Sequence, residues 1–128
     1  MSTAAGKTYA PVSFEIKADR VAAFARAIGA DPAHGVPPTF AALYSLGITA
    51  AQLFTDEEAA IDFAHLLHAE QEFEWVRHPR PSETVTSRGR IASDTSRRGM
   101  RFVSFETDTT DAGGAPVCTS RALFVIRS

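Results

Sequence analysis

The chain has 128 residues and 45% of them are hydrophobic, enough to fill one apolar core and too few for a second domain of ordinary size. Thirteen Lys and Arg stand against 15 Asp and Glu, so no field of one sign favours a nucleic-acid backbone or an anionic membrane surface as partner. The lone Cys118 excludes an internal disulfide and a cysteine-based zinc site, and no apolar run reaches membrane-spanning length, which together predict a soluble protein of a reducing, cytoplasmic compartment.

Residues 1–8 are small and polar and are expected to form a flexible tail. Val12, Phe14 and Ile16 alternate, predicting a first strand over 10–16. Asp19 is placed to cap a helix whose Val21, Phe24, Ala25 and Ile28 share one face and which stops at Gly29. Three prolines and a glycine make 30–38 a loop. Thr39 is expected to cap a long helix reaching about Leu53, whose sole polar stripe is Ser45, Thr49 and Gln52. Such a helix should be buried on nearly every side. Thr55-Asp56-Glu57-Glu58 reads as a capping box that opens a further helical turn.

From Leu67 the period changes to two. Strict alternation puts Ala69, Gln71, Phe73 and Trp75 on one face and His68, Glu70, Glu72 and Glu74 on the other. Three more strands are expected near 83–92, 100–109 and 116–127, separated by turns at Asp94 to Gly99 and at Asp111-Ala112-Gly113-Gly114. One strand, helices, then a meander of strands is an α+β layout: a long buried helix wrapped by a curved antiparallel sheet. Such a sheet leaves an edge exposed, so a dimer that joins two sheets is expected.

Phe24-Ala25-Arg26-Ala27-Ile28-Gly29, Pro37-Pro38-Thr39-Phe40, Leu67 to Glu74 and Gly114 to Arg127 occur in an order that resembles the MaoC-like dehydratases. The closer likeness is to the N-terminal-type dehydratase domains and mycobacterial hydroxyacyl dehydratase subunits. The resemblance implies a single hot-dog fold and reversible hydration of a 2-enoyl thioester, carried on coenzyme A or acyl carrier protein. In that chemistry an Asp and a His activate one water while amides at the start of the long helix polarise the thioester carbonyl. The family motif is Asp, any residue, Asn, two residues, His. Here Gly29-Ala30-Asp31-Pro32-Ala33-His34 stands in its place, lacking the leading Asp, and only Gly35-Val36-Pro37 separate His34 from the Pro38-Thr39 pair, where the family usually has on the order of a dozen residues. Aligned on the first helix, His34 matches the catalytic His; aligned on Pro38-Thr39, no catalytic pair survives.

His34 is therefore the candidate base, with Asp31 assisting. The resemblance implies that Pro38, Thr39 and Phe40 open the helix whose amides face the carbonyl; Gly47 is expected to allow close packing on the sheet or room for an acyl chain, His68 to face the acyl tunnel or the dimer seam, and Gln71 to find its hydrogen-bond partner in the structure or in the ligand. Arg77, Arg80, Arg88, Arg90, Arg97, Arg98 and Arg101 offer a basic rim for the phosphates of coenzyme A or the acidic surface of a carrier protein. No phosphate loop, metal-ligand cluster or nucleophile motif is present, so neither metal nor cofactor is expected. Two assignments stay open: a hydro-lyase acting alone, or a non-catalytic acyl-binding subunit paired with a catalytic hot-dog chain, so that the dimer is either a homodimer or a heterodimer. A hot-dog thioesterase ranks third, because the helix from Thr39 to Leu53 holds no Asp or Glu.

Overall fold

The computed structural model describes residues 4–127. Its elements in chain order are β1 (Val12–Glu15), α1 (Ala18–Ala27), a continuous helical run from Pro38 to Thr55, β2 (Leu66–Trp75), β3 (Thr84–Arg97), β4 (Met100–Thr110) and β5 (Pro116–Arg127). All five strands join one antiparallel sheet in the order β1-β3-β4-β5-β2, and the helical run lies across one face of it. No helix among the described residues is long and apolar enough to cross a membrane.

The long helix departs from its expected form in three ways. Thr39 does not cap it: Pro37 holds that place without a side-chain bond. The run is not uniform either, for a 3-10 turn (Pro38–Phe40) leads into a π segment (Ala42–Gly47) and then into α2 (Ile48–Thr55). The wide π turn brings the Ala42 carbonyl so close to Gly47 that a Cβ there would lie 2.9 Å from it, so the glycine answers to the helix's own backbone rather than to the sheet. Thirdly, the helix is not buried on nearly every side, and the polar stripe is among what is buried. Ser45 and Thr49 are fully buried against the sheet, while Ala42, Leu43, Gly47 and Ala51 are exposed.

The buried hydroxyls are partnered, which removes the cost of desolvating them. Thr49 Oγ1 donates to the Ser45 carbonyl (2.7 Å) and meets Thr107 Oγ1 at 2.8 Å. Ser87 Oγ donates to the Tyr44 carbonyl (2.8 Å), and Thr109 Oγ1 lies 2.7 Å from Ser87 Oγ and 3.0 Å from Ser45 Oγ. Hydroxyls on β3 and β4 thus secure the helix where its π turns give way to α2. Two apolar clusters flank this polar band: one around Phe40, Tyr44, Val85 and Val117, the other around Leu53, Ile91, Phe105 and Phe124.

Several local expectations are also corrected. Asp19 lies in the first turn of α1 rather than at its cap, which is Lys17. β3 runs on to Arg97, and Arg98 and Gly99, both at positive φ (53° and 76°), make a two-residue turn in place of the loop expected from Asp94. A bulge between Ile91 and Ser93 turns Asp94 inward. Thr55 ends α2 instead of opening a new turn, donating to the Ala51 carbonyl at 2.8 Å.

The expected tail is tied down from Ala4 onward; Met1, Ser2 and Thr3 lie outside the described residues. Gly6, Lys7 and Tyr9 bond along β3 to Ile91 and Gly89. Asp56 then clasps this segment from the end of the helix, accepting from Tyr9 Oη (2.7 Å) and Lys7 Nζ (2.6 Å). The Lys7 ammonium, and after it the Tyr9 hydroxyl, holds the Asp56 carboxyl down at about 2. A depressed carboxyl contributes stability that is full above its unfolded value of 3.8 and is lost as pH falls through about 2. Asp56→Asn should accordingly lower the melting temperature at about pH 5, and the difference should close towards about pH 2. A difference that does not vary with pH would show that the carboxylate charge contributes nothing.

Candidate functional site

Asp31 and His34 bracket a single 3-10 turn, Pro32–His34, that follows α1. Proline at its first position and Asp31 Oδ1 accepting from the Ala33 amide (2.9 Å) shape the turn. It sets His34 Nε2 3.8 Å from Asp31 Oδ2, so the three-residue spacing does bring the two side chains together. Both remain in solvent, with side-chain exposures of 82% for His34 and 58% for Asp31.

The opening of the long helix offers less than the expected set of amides. Pro38 has no N–H; Phe40 N bonds back to the Pro37 carbonyl (3.0 Å), and Ala41 N bonds to carbonyls of the same turn. The tight 3-10 geometry therefore leaves the Thr39 amide as the donor of this turn without a protein partner among the described residues. Pro38 and Thr39 are exposed, whereas the Phe40 ring is wholly buried, edge-on to Phe24 at 5.2 Å, and belongs to the core rather than to a binding surface.

On β2 the structure overturns the strict alternation. A bulge between His68 and Glu70 makes Ala69 an extra residue, so His68 sits opposite Phe124 and Gln71 opposite Ala122, both on the helix side of the sheet. The two side chains then meet, with His68 Nε2 3.0 Å from Gln71 Oε1. The Gln71 amide orientation follows from its other contacts. Its Nε2 lies 3.2 Å from the Glu72 carbonyl, which can only accept, and 2.9 Å from Ser120 Oγ. Its Oε1 must therefore face His68, so neutral His68 carries its proton on Nε2 and leaves the Nδ1 lone pair free to accept. Ser120, which anchors this pair, gave no signal in the sequence. A glutamine among the apolar positions of a strand was the available clue.

Phe73 and Trp75 continue the same face of β2, stacked at 5.7 Å and half-buried. On this face the Tyr44 hydroxyl and Trp75 Nε1 are buried near each other and the Cys118 thiol, and neither makes a well-formed hydrogen bond among the described residues. Burial, and then the neighbouring Cys118, pushes the Tyr44 phenol well above its ordinary range, so it stays a protonated donor at neutral pH. Burial likewise raises the Cys118 thiol, which fits an inert core cysteine. Three arginines of the expected basic rim are ion-paired: Arg77 with Glu83 and Asp111, Arg90 with Glu106 and Asp108, and Arg101 with Asp94.

Residues 3–120 match the family described as FAS1-like, dehydratase domain region. The chain belongs to this family. This FAS1-like dehydratase-domain chain is 30% identical to a UPF0336 protein of Thermobifida fusca, covering 95% of this chain and 90% of that one. Their alignment spans 138 positions against this chain's 128 residues, so the relative carries at least ten residues that this chain lacks. Two solved structures share its fold. One is a chain of the C-terminally truncated HadBC (3R-hydroxyacyl-ACP dehydratase) complex from Mycobacterium tuberculosis, at a TM-score of 0.77 and 19% identity over 97% of this chain and 98% of that one. The other is the MaoC-like dehydratase from Rhodospirillum rubrum, at 0.68 and 20% over 97% and 92%. The FAS1-like dehydratase-domain chain therefore has the hot-dog fold, as its MaoC-like resemblance implied.

Proposed function

We propose that the chain is the acyl-binding half of a 3-hydroxyacyl thioester dehydratase, equally a 2-enoyl thioester hydratase, and that a second hot-dog chain brings the water-activating Asp and His. The exposure of Asp31 and His34 carries this reading. A general base must meet its water in a place that excludes bulk solvent and fixes the substrate, and neither side chain has such surroundings here. Three features support it. One free amide, at Thr39, is a weak oxyanion hole. The inner face of β2, where Phe73 and Trp75 pack against the cluster of Phe40 and Tyr44 beyond the His68–Gln71 pair, is a largely apolar wall left open along the sheet's edge, suited to one side of an acyl tunnel that another chain completes. The missing leading Asp before Asp31-Pro32-Ala33-His34, with the short Gly35-Val36-Pro37 link to the helix, agrees with it.

A second reading, a hydratase complete in itself, is favoured by the 3.8 Å approach of His34 to Asp31. Trp75 is the chain's single tryptophan and stands on the proposed acyl wall, so its fluorescence reports occupancy directly. Titration with short and medium enoyl thioesters of coenzyme A should change that emission saturably, while absorbance at the conjugated enoyl band stays constant and His34→Ala binds as the wild type does. Turnover by the chain alone that falls by roughly 100-fold or more in His34→Ala would establish the second reading instead. Absence of both binding and turnover, repeated with carrier-protein thioesters, would sink the thioester assignment.

A further inference from the structure

β2 is bonded to β5 on one side and, among the described residues, has no neighbour in the sheet on the other. Edges are commonly protected by being short, whereas this one runs for ten residues. Large apolar side chains are exposed at both its ends, Phe63 and Leu67 at 64% and Val76 at 69%. Its outer face, away from the helix, carries Glu70, Glu72 and Glu74 opposite Leu123, Arg121 and Thr119. Arg121 reaches Glu72 at 2.6 Å and Glu74 at 3.4 Å but also approaches Glu106 at 3.7 Å, and Glu70 has no cation beside it among the described residues. One guanidinium thus serves two of the three edge carboxylates and leaves the third uncompensated.

A second copy pairing antiparallel here, about a two-fold axis normal to the sheet, would preserve the faces. Every register that overlaps the three glutamates then sets carboxylate opposite carboxylate at about 5 Å, where like charges on opposed strands repel. We infer that the β2 edge rejects a second copy of this chain and accepts an edge strand of a different chain that presents Lys or Arg at alternate outward positions. The inference rests on the two-chain reading above and adds the chemistry by which the partner is chosen.

Sedimentation of the purified chain at low and high ionic strength tests it, beside the variants Glu70→Lys/Glu74→Lys and Glu70→Gln/Glu74→Gln. All substituted positions are exposed, and circular dichroism confirms that each variant folds. Wild type should self-associate weakly at low salt and more tightly as salt screens the edge. The neutral variant should self-associate at least about tenfold more tightly than wild type. An equimolar mixture of wild type and the lysine variant should form a 1:1 complex at least about tenfold tighter than either self-pair. A tight wild-type dimer indifferent to salt and to these substitutions would overturn the inference, as would a mixture that forms no complex. Because no acyl thioester is used, either result leaves the thioester assignment to its own test.

Discussion

Gly89→Ala should destabilise the protein by about 3 kcal/mol and lower its melting temperature by on the order of 10 °C. Gly89 lies buried in β3, diagonal to Phe105 on β4, and the Phe105 ring crosses the space a side chain would fill. A Cβ there would sit 2.4 Å from the ring's Cζ and 3.1 and 3.2 Å from the two Cε carbons, well inside van der Waals contact. The ring cannot swing aside without disturbing a packed core, because Phe105 is fully buried with Tyr9 edge-on to it at 6.1 Å. A double-mutant cycle isolates the clash. Phe105→Leu removes the ring tip, so Gly89→Ala should cost much less in that background than in the wild type; equal costs in the two would show that the ring is not what excludes a side chain at 89.

Asp94→Ala should cost about 2–4 kcal/mol, the lower end applying to the extent that solvent reaches the pair. The Arg101 guanidinium holds Asp94 by two bonds of 2.8 Å, and the same carboxylate accepts from the Ala4 amide at 2.9 Å. Arg101 in turn donates to the Ala60 carbonyl at 2.9 Å, so one ion pair ties the N-terminal segment and the approach to β2 onto β3 and β4. The Asp94 side chain is only 6% exposed and that of Arg101 22%, which makes an unpaired charge here expensive. Chemical denaturation of Asp94→Ala, Arg101→Ala and the double variant gives the coupling directly. The double variant should lose less than the sum of the singles, and strict additivity would mean that the two groups act independently.

The fold class was legible because it rests on periodicity. A helical repeat before residue 60 and a two-residue repeat after it fix which elements form, and the runs at 24–29, 37–40, 67–74 and 114–127 were enough to place the chain near the MaoC-like dehydratases. The candidate site was legible only in part. Asp31 and His34 are neighbours, as their spacing required, but exposure is a property of the surrounding chain and no pattern of residue types encodes it. The His68–Gln71 pair was assigned to opposite faces because alternation assumes an unbroken ladder. A single extra residue, Ala69, reverses the facing of everything before it.

Composition, charge, element order and family membership were thus determined by the sequence alone, because each follows from residue identity and short-range spacing. Tertiary structure alone decided the rest. Ser45 and Thr49 face inward since hydroxyls on β3 and β4 satisfy them, overriding the rule that polar stripes face water. Asp94 is a core ion pair and not a turn residue because Arg101 stands across the hairpin. Residues 4–9 are ordered because Asp56 and β3 receive them. In each case the partner lies far along the chain, and a polar group's place depends on whether that partner arrives.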